Sequence, residues 1–226
     1  MKQSIKLTVD AVVFGYEAKT ETISVLLVKR KYKPFQGKWA LPGGFVLQEE
    51  SLEDAVEREL NEETGLQINY LEQLYTFGQP ERDPRSRVVS VAYFGLIKPS
   101  NFKIAAATDA EDVQWFKTTE LPKLSFDHDK ILKLAIARLK GKITYEPIGF
   151  QLLDNKFPFS DLEKLYTTLL GRTIDRRNFR KKILSLNILD ELDEKISRGS
   201  GRPANLFKFN KERYFQLKNE GIIFEI

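Results

Sequence analysis

The sequence predicts two folded units: an α/β domain over residues 1–147 and a small α+β domain over residues 148–226. Three observations carry this. At 226 residues the chain exceeds one average domain and fits two. In the first part, strand-length apolar runs flank a helix-length acidic segment. The charge is also unevenly divided. Residues 1–147 hold 21 Lys+Arg against 21 Asp+Glu and residues 148–226 hold 15 against 11, so the whole net charge of +4 lies in the last third. That asymmetry predicts an anionic partner for the second domain.

Composition excludes several chemistries. The absence of cysteine rules out disulfides and thiol catalysis, and a single histidine rules out a multi-histidine metal site. Hydrophobic residues make up 42%, enough for real cores, yet no apolar run is long enough to span a bilayer. With no charged-then-apolar leader, the expectation is a soluble, cytoplasmic protein with no membrane partner.

Taken in order, residues 6–14 and 23–28 are alternating or β-branched runs that read as strands, pairing as a hairpin across the polar residues between them. Residues 29–33 then put four cations in five residues, either a solvated loop or a contact to phosphate. Gly37, Trp39 and Pro42 lead tightly into the acidic helix. Ser51 caps that helix with Asp54 three residues on, Leu52, Val56 and Leu60 form its buried stripe, and Gly65 stops it. Glu59, Glu62 and Glu63 share one face at i, i+3, i+4, where like charges repel and helix stability does not ask for them. Such hard oxygen donors suit Mg²⁺. Arg58 can reach Glu62 one turn on or fold back toward Glu50.

Residues 70–77 and 88–97 read as further strands, joined by a stiff cationic loop over residues 78–87 that carries Pro80, Arg82, Arg85 and Arg87. Arginines there suit phosphate or carboxylate recognition. An acidic turn, residues 109–112, precedes a strand at residues 113–116, and His128 opens a helix running to about residue 140 as a helix-terminal contact. Residues 142–150 form the crossing. In the second domain Ser160 caps a helix over residues 161–170 with Leu162, Leu165, Tyr166 and Leu169 inward, and Gly171 ends it. Asp175 starts a second helix, residues 176–186, with Phe179, Ile183 and Leu184 inward and Arg176, Arg177, Arg180, Lys181 and Lys182 over the rest. Two helices and a turn outline a helix-turn-helix. Residues 188–189 and 206–209 then form a hairpin whose basic tip holds Arg198 and Arg202. This layout matches a winged helix, with its second helix entering the major groove and the tip arginines reaching backbone or minor groove.

Residues 44–66 resemble the Nudix box, G-x5-E-x7-R-E-U-x-E-E-x-G-U, at every defined position: Gly44, Glu50, Arg58, Glu59, Leu60, Glu62, Glu63, Gly65 and Leu66. The resemblance implies an α/β/α sandwich that hydrolyses a nucleoside diphosphate linked to a further group, using Mg²⁺ or Mn²⁺. By position, Glu59, Glu62 and Glu63 would hold the metal with the Gly43 carbonyl, oriented by Glu50 and Arg58. Pro80, fifteen residues after Gly65, matches Nudix enzymes acting on ADP-ribose, and Asp112 or Glu111 would handle the attacking water.

Followed by residues 175–182 and 201–204, the Nudix domain resembles the Nudix-related transcriptional regulators, which include repressors of NAD metabolism that sense ADP-ribose and relatives that respond to arabinose. The implied partners are double-stranded DNA and an ADP-ribose or sugar effector, and the implied assembly is a homodimer on a palindromic site. One departure stands out. Many such regulators carry eroded boxes, whereas every carboxylate is kept here, so hydrolysis of ADP-ribose to AMP and sugar phosphate is the alternative activity.

Overall fold

A computed structural model describes residues 4–68, 70–99, 110–197, 203–221 and 224–226. The chain divides into two units, residues 1–17 with 23–138 and residues 18–22 with 139–226. The proposed boundary at 147/148 lies nine residues beyond that division.

The first unit is built on a seven-stranded mixed sheet. Strand β1 (Lys6–Glu17) lies at its centre, with its residues from Val9 to Tyr16 buried. It runs parallel to β6 (Val88–Ile97) from Lys6↔Val88 to Gly15↔Ile97, and β5 (Leu71–Phe77) is antiparallel outside β6. Strand β2 (Thr22–Arg30) adjoins β1, as the expected hairpin requires, and carries β3 (Trp39–Ala40) and β7 (Ala110–Lys117). Three-residue β4 (Gly43–Phe45) pairs antiparallel with Thr8, Val9 and Asp10. Only glycine fits at 43: its φ is 152° and a Cβ would run into the Val9 carbonyl.

Helix α1 (Leu52–Thr64) forms for the local reasons anticipated. Ser51 and Asp54 complete a capping box, and Gly65 closes the helix at φ 72° while donating its N–H to Asn61 O. Val56 and Leu60 enter the core and Leu52 packs against it. Glu59 and Glu63 turn toward β4, and the Glu62 side chain stays largely exposed. Helix α2 (His128–Lys142) follows β7.

The second unit holds β8 (Phe157–Pro158), α3 (Phe159–Leu170), α4 (Arg176–Ser185), β9 (Leu189–Ile196), β10 (Ala204–Phe209) and α5 (Lys211–Asn219). Its antiparallel sheet runs β8-β10-β9. Gly171 caps α3 at φ 65°, and the Asp175 side chain accepts from the N–H groups of Arg177 and Asn178 to start α4. Phe159, Tyr166, Phe179 and Phe207 form the aromatic centre.

Three expectations need correction. Ser160 is not the cap of α3. The helix begins two residues earlier, at Phe159, after Pro158 and without a side-chain cap, because Phe159 is itself core. Leu184 is 37% exposed, since Phe179 and Ile183 at i, i+4 define the inward face and Leu184 falls one position off it. Strand β9 is longer than expected and largely acidic. Helix α5, capped by Asn210 and anchored by buried Leu217, was not anticipated. Residues 198–202 of the hairpin tip lie outside the described residues, and with them Arg198 and Arg202.

Candidate functional site

A cleft of about 330 Å³ is lined by β1 and β4 (Thr8, Asp10, Gly43, Gly44, Phe45), by α1 (Arg58, Glu59, Glu63) and by Arg82, Asp83 and Arg85. Cations from the 29–33 segment, Arg30, Lys31 and Lys33, line it too, as do Tyr32, Phe126 and His128. Lys31 and Lys33 are exposed and Arg30 is half-buried, so both readings of that segment, solvated loop and phosphate contact, stay open. Thr8 Oγ1, buried in this lining, has no hydrogen-bond partner among the described residues.

Arg58 organises the acidic face. Its Nε and Nη2 hold Glu50 at 3.0 and 2.7 Å, Nη1 reaches Glu59 at 2.8 Å and Glu62 at 3.1 Å, and Nη2 also donates to the Phe45 carbonyl at 3.0 Å. Both anticipated reaches of Arg58 are thus made at once. Hydrogen bonds from Arg58 and from the Leu47 N–H hold the Glu50 carboxyl down at about 2, and the Glu50 bonds push Arg58 up from its ordinary value. Glu63, 9% exposed, accepts from Gly43 N at 2.9 Å. A Cβ on Gly44 would collide with the Glu59 carboxylate, so this glycine lets α1 approach the strand.

The carboxylates are donors of the right type for Mg²⁺ or Mn²⁺. Their arrangement is not a metal cage: among the described residues no three such side chains are grouped to hold a cation. Glu59 and Glu63 line the cleft, Glu62 does not, and Arg58 Nη1 is shared between Glu59 and Glu62. The Gly43 backbone meets Glu63 through its N–H.

Arg82 belongs to a buried network. Its guanidinium holds Asp127 through Nε at 3.2 Å and Nη2 at 2.8 Å, and Nη2 also reaches Asp10 at 3.3 Å. Asp10 accepts from Ser90 and lies 3.4 Å from His128 Nε2, while His128 Nδ1 accepts from Leu41 N at 2.9 Å. Burial keeps His128 below its ordinary pKa, so it is neutral and can accept that bond. Arg85 is gripped by Asp83 at 2.7 and 3.0 Å, with its guanidinium 5.4 Å from the Phe45 ring and 5.8 Å from Phe126. Arg30 faces Phe126 at 5.0 Å. Burial and the nearby Arg85 charge lower the pKa of Arg30, a sign of cations crowded together.

The predicted residues therefore separate. Glu59, Glu63, Arg58, Gly43, Arg82 and Arg85 share the cleft. Glu50 supports it through Arg58. Arg87 donates to the Gly78 carbonyl at 2.6 Å, and neither it nor Pro80 lines the cleft. Asp112 and Glu111 do not lie in a turn, because β7 is already paired to β2 from Ala110 onward. Asp112 accepts from Val113 N, Glu111 pairs with Lys29 at 3.4 Å, and neither lines the cleft. Thr8, Asp10, Tyr32, Phe45, Asp83 and Phe126 were not singled out. Asp10 had a signal, as a carboxylate inside an apolar run.

In the second unit Arg176, Arg177, Arg180, Lys181 and Lys182 are exposed on α4. Arg176 meets Glu163 at 3.2 Å and Arg180 stacks over Phe159 at 4.4 Å, which fixes two of the five to the α3 side.

The fold, the boxed helix and the basic helix define a Nudix domain followed by a winged helix. Residues 6–135 match the NUDIX domain family and residues 149–209 the NrtR DNA-binding winged helix domain. The ADPR responsive transcriptional repressor NtrR of Acinetobacter baylyi is 34% identical over 214 residues, 92% of this chain and 83% of that protein. The crystal structure of Shewanella oneidensis NrtR complexed with a 27mer DNA aligns at TM-score 0.78 and 34% identity, over 92% of this chain and 94% of that one. The NUDIX domain of the same protein complexed with ADP ribose aligns at TM-score 0.56 and 38% identity, over 61% of this chain and 90% of that one. The chain belongs to the NrtR family of Nudix-related transcriptional regulators.

Proposed function

We propose that the protein is an ADP-ribose-responsive, DNA-binding transcriptional repressor, with the Nudix domain as sensor and the winged helix as DNA reader. The observation that carries the reading is the pairing in one chain of an arginine-lined cleft with an outward basic helix. The likenesses to a DNA-bound and an ADP-ribose-bound relative support it. In this reading Arg30 and Arg85 meet the diphosphate, and α4 enters the major groove with Arg176, Arg177, Arg180, Lys181 and Lys182. Arg198 and Arg202, which lie outside the described residues, are assigned by this reading to backbone or minor groove. The protein acts in the cytoplasm as a homodimer, which sets two α4 helices on a palindromic site near genes of NAD metabolism. The test is a mobility-shift titration with its own upstream duplex. The reading predicts salt-sensitive binding that ADP-ribose changes and arabinose does not. Absence of binding, or a response to the sugar alone, contradicts it.

The intact carboxylate set favours a second reading, slow Mg²⁺- or Mn²⁺-dependent hydrolysis of ADP-ribose to AMP. A cation would first have to draw Glu59 or Glu62 away from Arg58. AMP release lost in Glu63→Gln supports this activity; absence of release in the wild type, alongside ADP-ribose binding, leaves a sensor only.

A further inference from the structure

The polar side chains of α4 divide by what they can recognise. Phe179 and Ile183 are buried and fix the inward face of the helix. Arg176, bonded to Glu163 at 3.2 Å, and Arg180, over the Phe159 and Phe207 rings at 4.4 and 5.8 Å, are drawn toward that face. Arg177, Asn178 and Lys181 stand exposed on the other side. Arg177 and Lys181 offer hydrogen-bond donors alone, whereas the Asn178 carboxamide offers a donor and an acceptor side by side. A phosphate asks only for donors and charge; a base edge asks for a pattern.

Asn178 is also held in place before any partner arrives. Asp175 caps the helix by accepting from the backbone N–H groups of Arg177 and Asn178 through Oδ1, both at 3.1 Å. Its other oxygen, Oδ2, accepts from the side-chain Nδ2 of Asn178 at 2.8 Å. That bond takes one of the two Nδ2 hydrogens and leaves the second, with the amide oxygen, for a partner. A carboxamide fixed in this way costs less to order on binding. Asn178 lies in the first turn of α4, the part of a recognition helix that meets base edges. In the major groove an asparagine amide matches adenine, donating to N7 and accepting from the N6 amino group.

We propose that Asn178 is a specificity-determining residue, reading one adenine of the DNA site, with Asp175 as its positioning residue. The inference rests on the DNA-binding reading above and names the contact that makes such binding selective.

The test is fluorescence-anisotropy titration of the full-length protein with its own upstream duplex and with a scrambled duplex of the same composition. Wild type is compared with Asn178→Ala, Asp175→Asn and the double variant. Asn178→Ala should bind the upstream duplex roughly 5- to 150-fold more weakly and the scrambled duplex as before. Replacing adenines one at a time by 7-deazaadenine, which pairs normally but lacks N7, should weaken wild-type binding at one position and leave Asn178→Ala indifferent there. Asp175→Asn keeps an oxygen for the cap but turns an N–H toward Nδ2, so specificity should fall at an unchanged melting temperature. The double variant should be no less specific than Asn178→Ala, because both changes act on one contact. An equal loss on both duplexes, or the same adenine sensitivity in Asn178→Ala as in wild type, overturns the assignment. Full specificity in Asp175→Asn overturns the positioning role. A wild type with no preference for the upstream duplex instead breaks the DNA-binding reading, and the assignment falls with it.

Discussion

Arginine plays opposite parts in the two units. In the Nudix cleft the arginines are already committed: Arg58 makes five hydrogen bonds and Arg82 holds two aspartates with its own side chain 4% exposed. On α4 the same residue type points outward, and among the described residues Arg176 leans on Glu163 and Arg180 on Phe159. A cation that recognises a small ligand must be held still beforehand, so its charge is built into a network. A cation that meets DNA backbone works by releasing counterions from the polymer and needs little pre-organisation. Substitutions should therefore damage folding in the first unit and affinity in the second.

The sharpest break of that contrast is Arg82→Ala. Removing this side chain leaves Asp10 and Asp127 buried without their partner, and a loss of about 3–5 kcal/mol is expected in the urea unfolding free energy of the first unit. A change below about 1 kcal/mol would mean that the network does not hold the cleft together. On α4, Arg177→Ala and Lys181→Ala should leave unfolding within about 0.5 kcal/mol. Each should nonetheless lower the steepness of the log-affinity against log-salt plot by roughly 0.9 where a phosphate contact is lost. Unaltered salt dependence in both would move the DNA surface elsewhere.

Smaller effects refine the picture. Gly171→Ala, at a φ of 65°, should destabilise the second unit by about 1 kcal/mol in thermal melts. The smallest concerns acid. Glu50 ordinarily titrates near 4.5 and is held at about 2 by Arg58, so the folded state is favoured by its ionised form. That contribution is complete above pH 4.5 and is lost as pH falls toward 2. Glu50→Gln should flatten the stability profile in that window, and an unchanged profile would say that the Arg58 grip is not energetically real.

What the sequence disclosed follows from distance along the chain. Helix α1 was legible from end to end because its cap, stripe and glycine stop are local, and Arg58 meets acidic partners no more than eight residues away. The Arg82 network was not, because Asp10 and Asp127 are 72 and 45 residues from it. Phe126 carried no period or motif, and only the folded chain brings it beside Arg30 and Arg85. Where local reasoning failed it lost to packing: Phe159 took the start of α3 from Ser160, and Phe179 with Ile183 left Leu184 outside. The acidity of Asp112 and Glu111 suggests a turn, whereas pairing with β2 makes them strand.

The central claim is that one chain couples an effector cleft to DNA binding. Linkage makes this reciprocal: if ADP-ribose alters affinity for the operator, the operator must alter affinity for ADP-ribose by the same factor. The most direct measurement is calorimetric titration of ADP-ribose into the free protein and into its complex with the upstream duplex. The account predicts dissociation constants that differ by about 5-fold or more. Equal constants would show a cleft and a DNA-binding helix that share a chain without communicating.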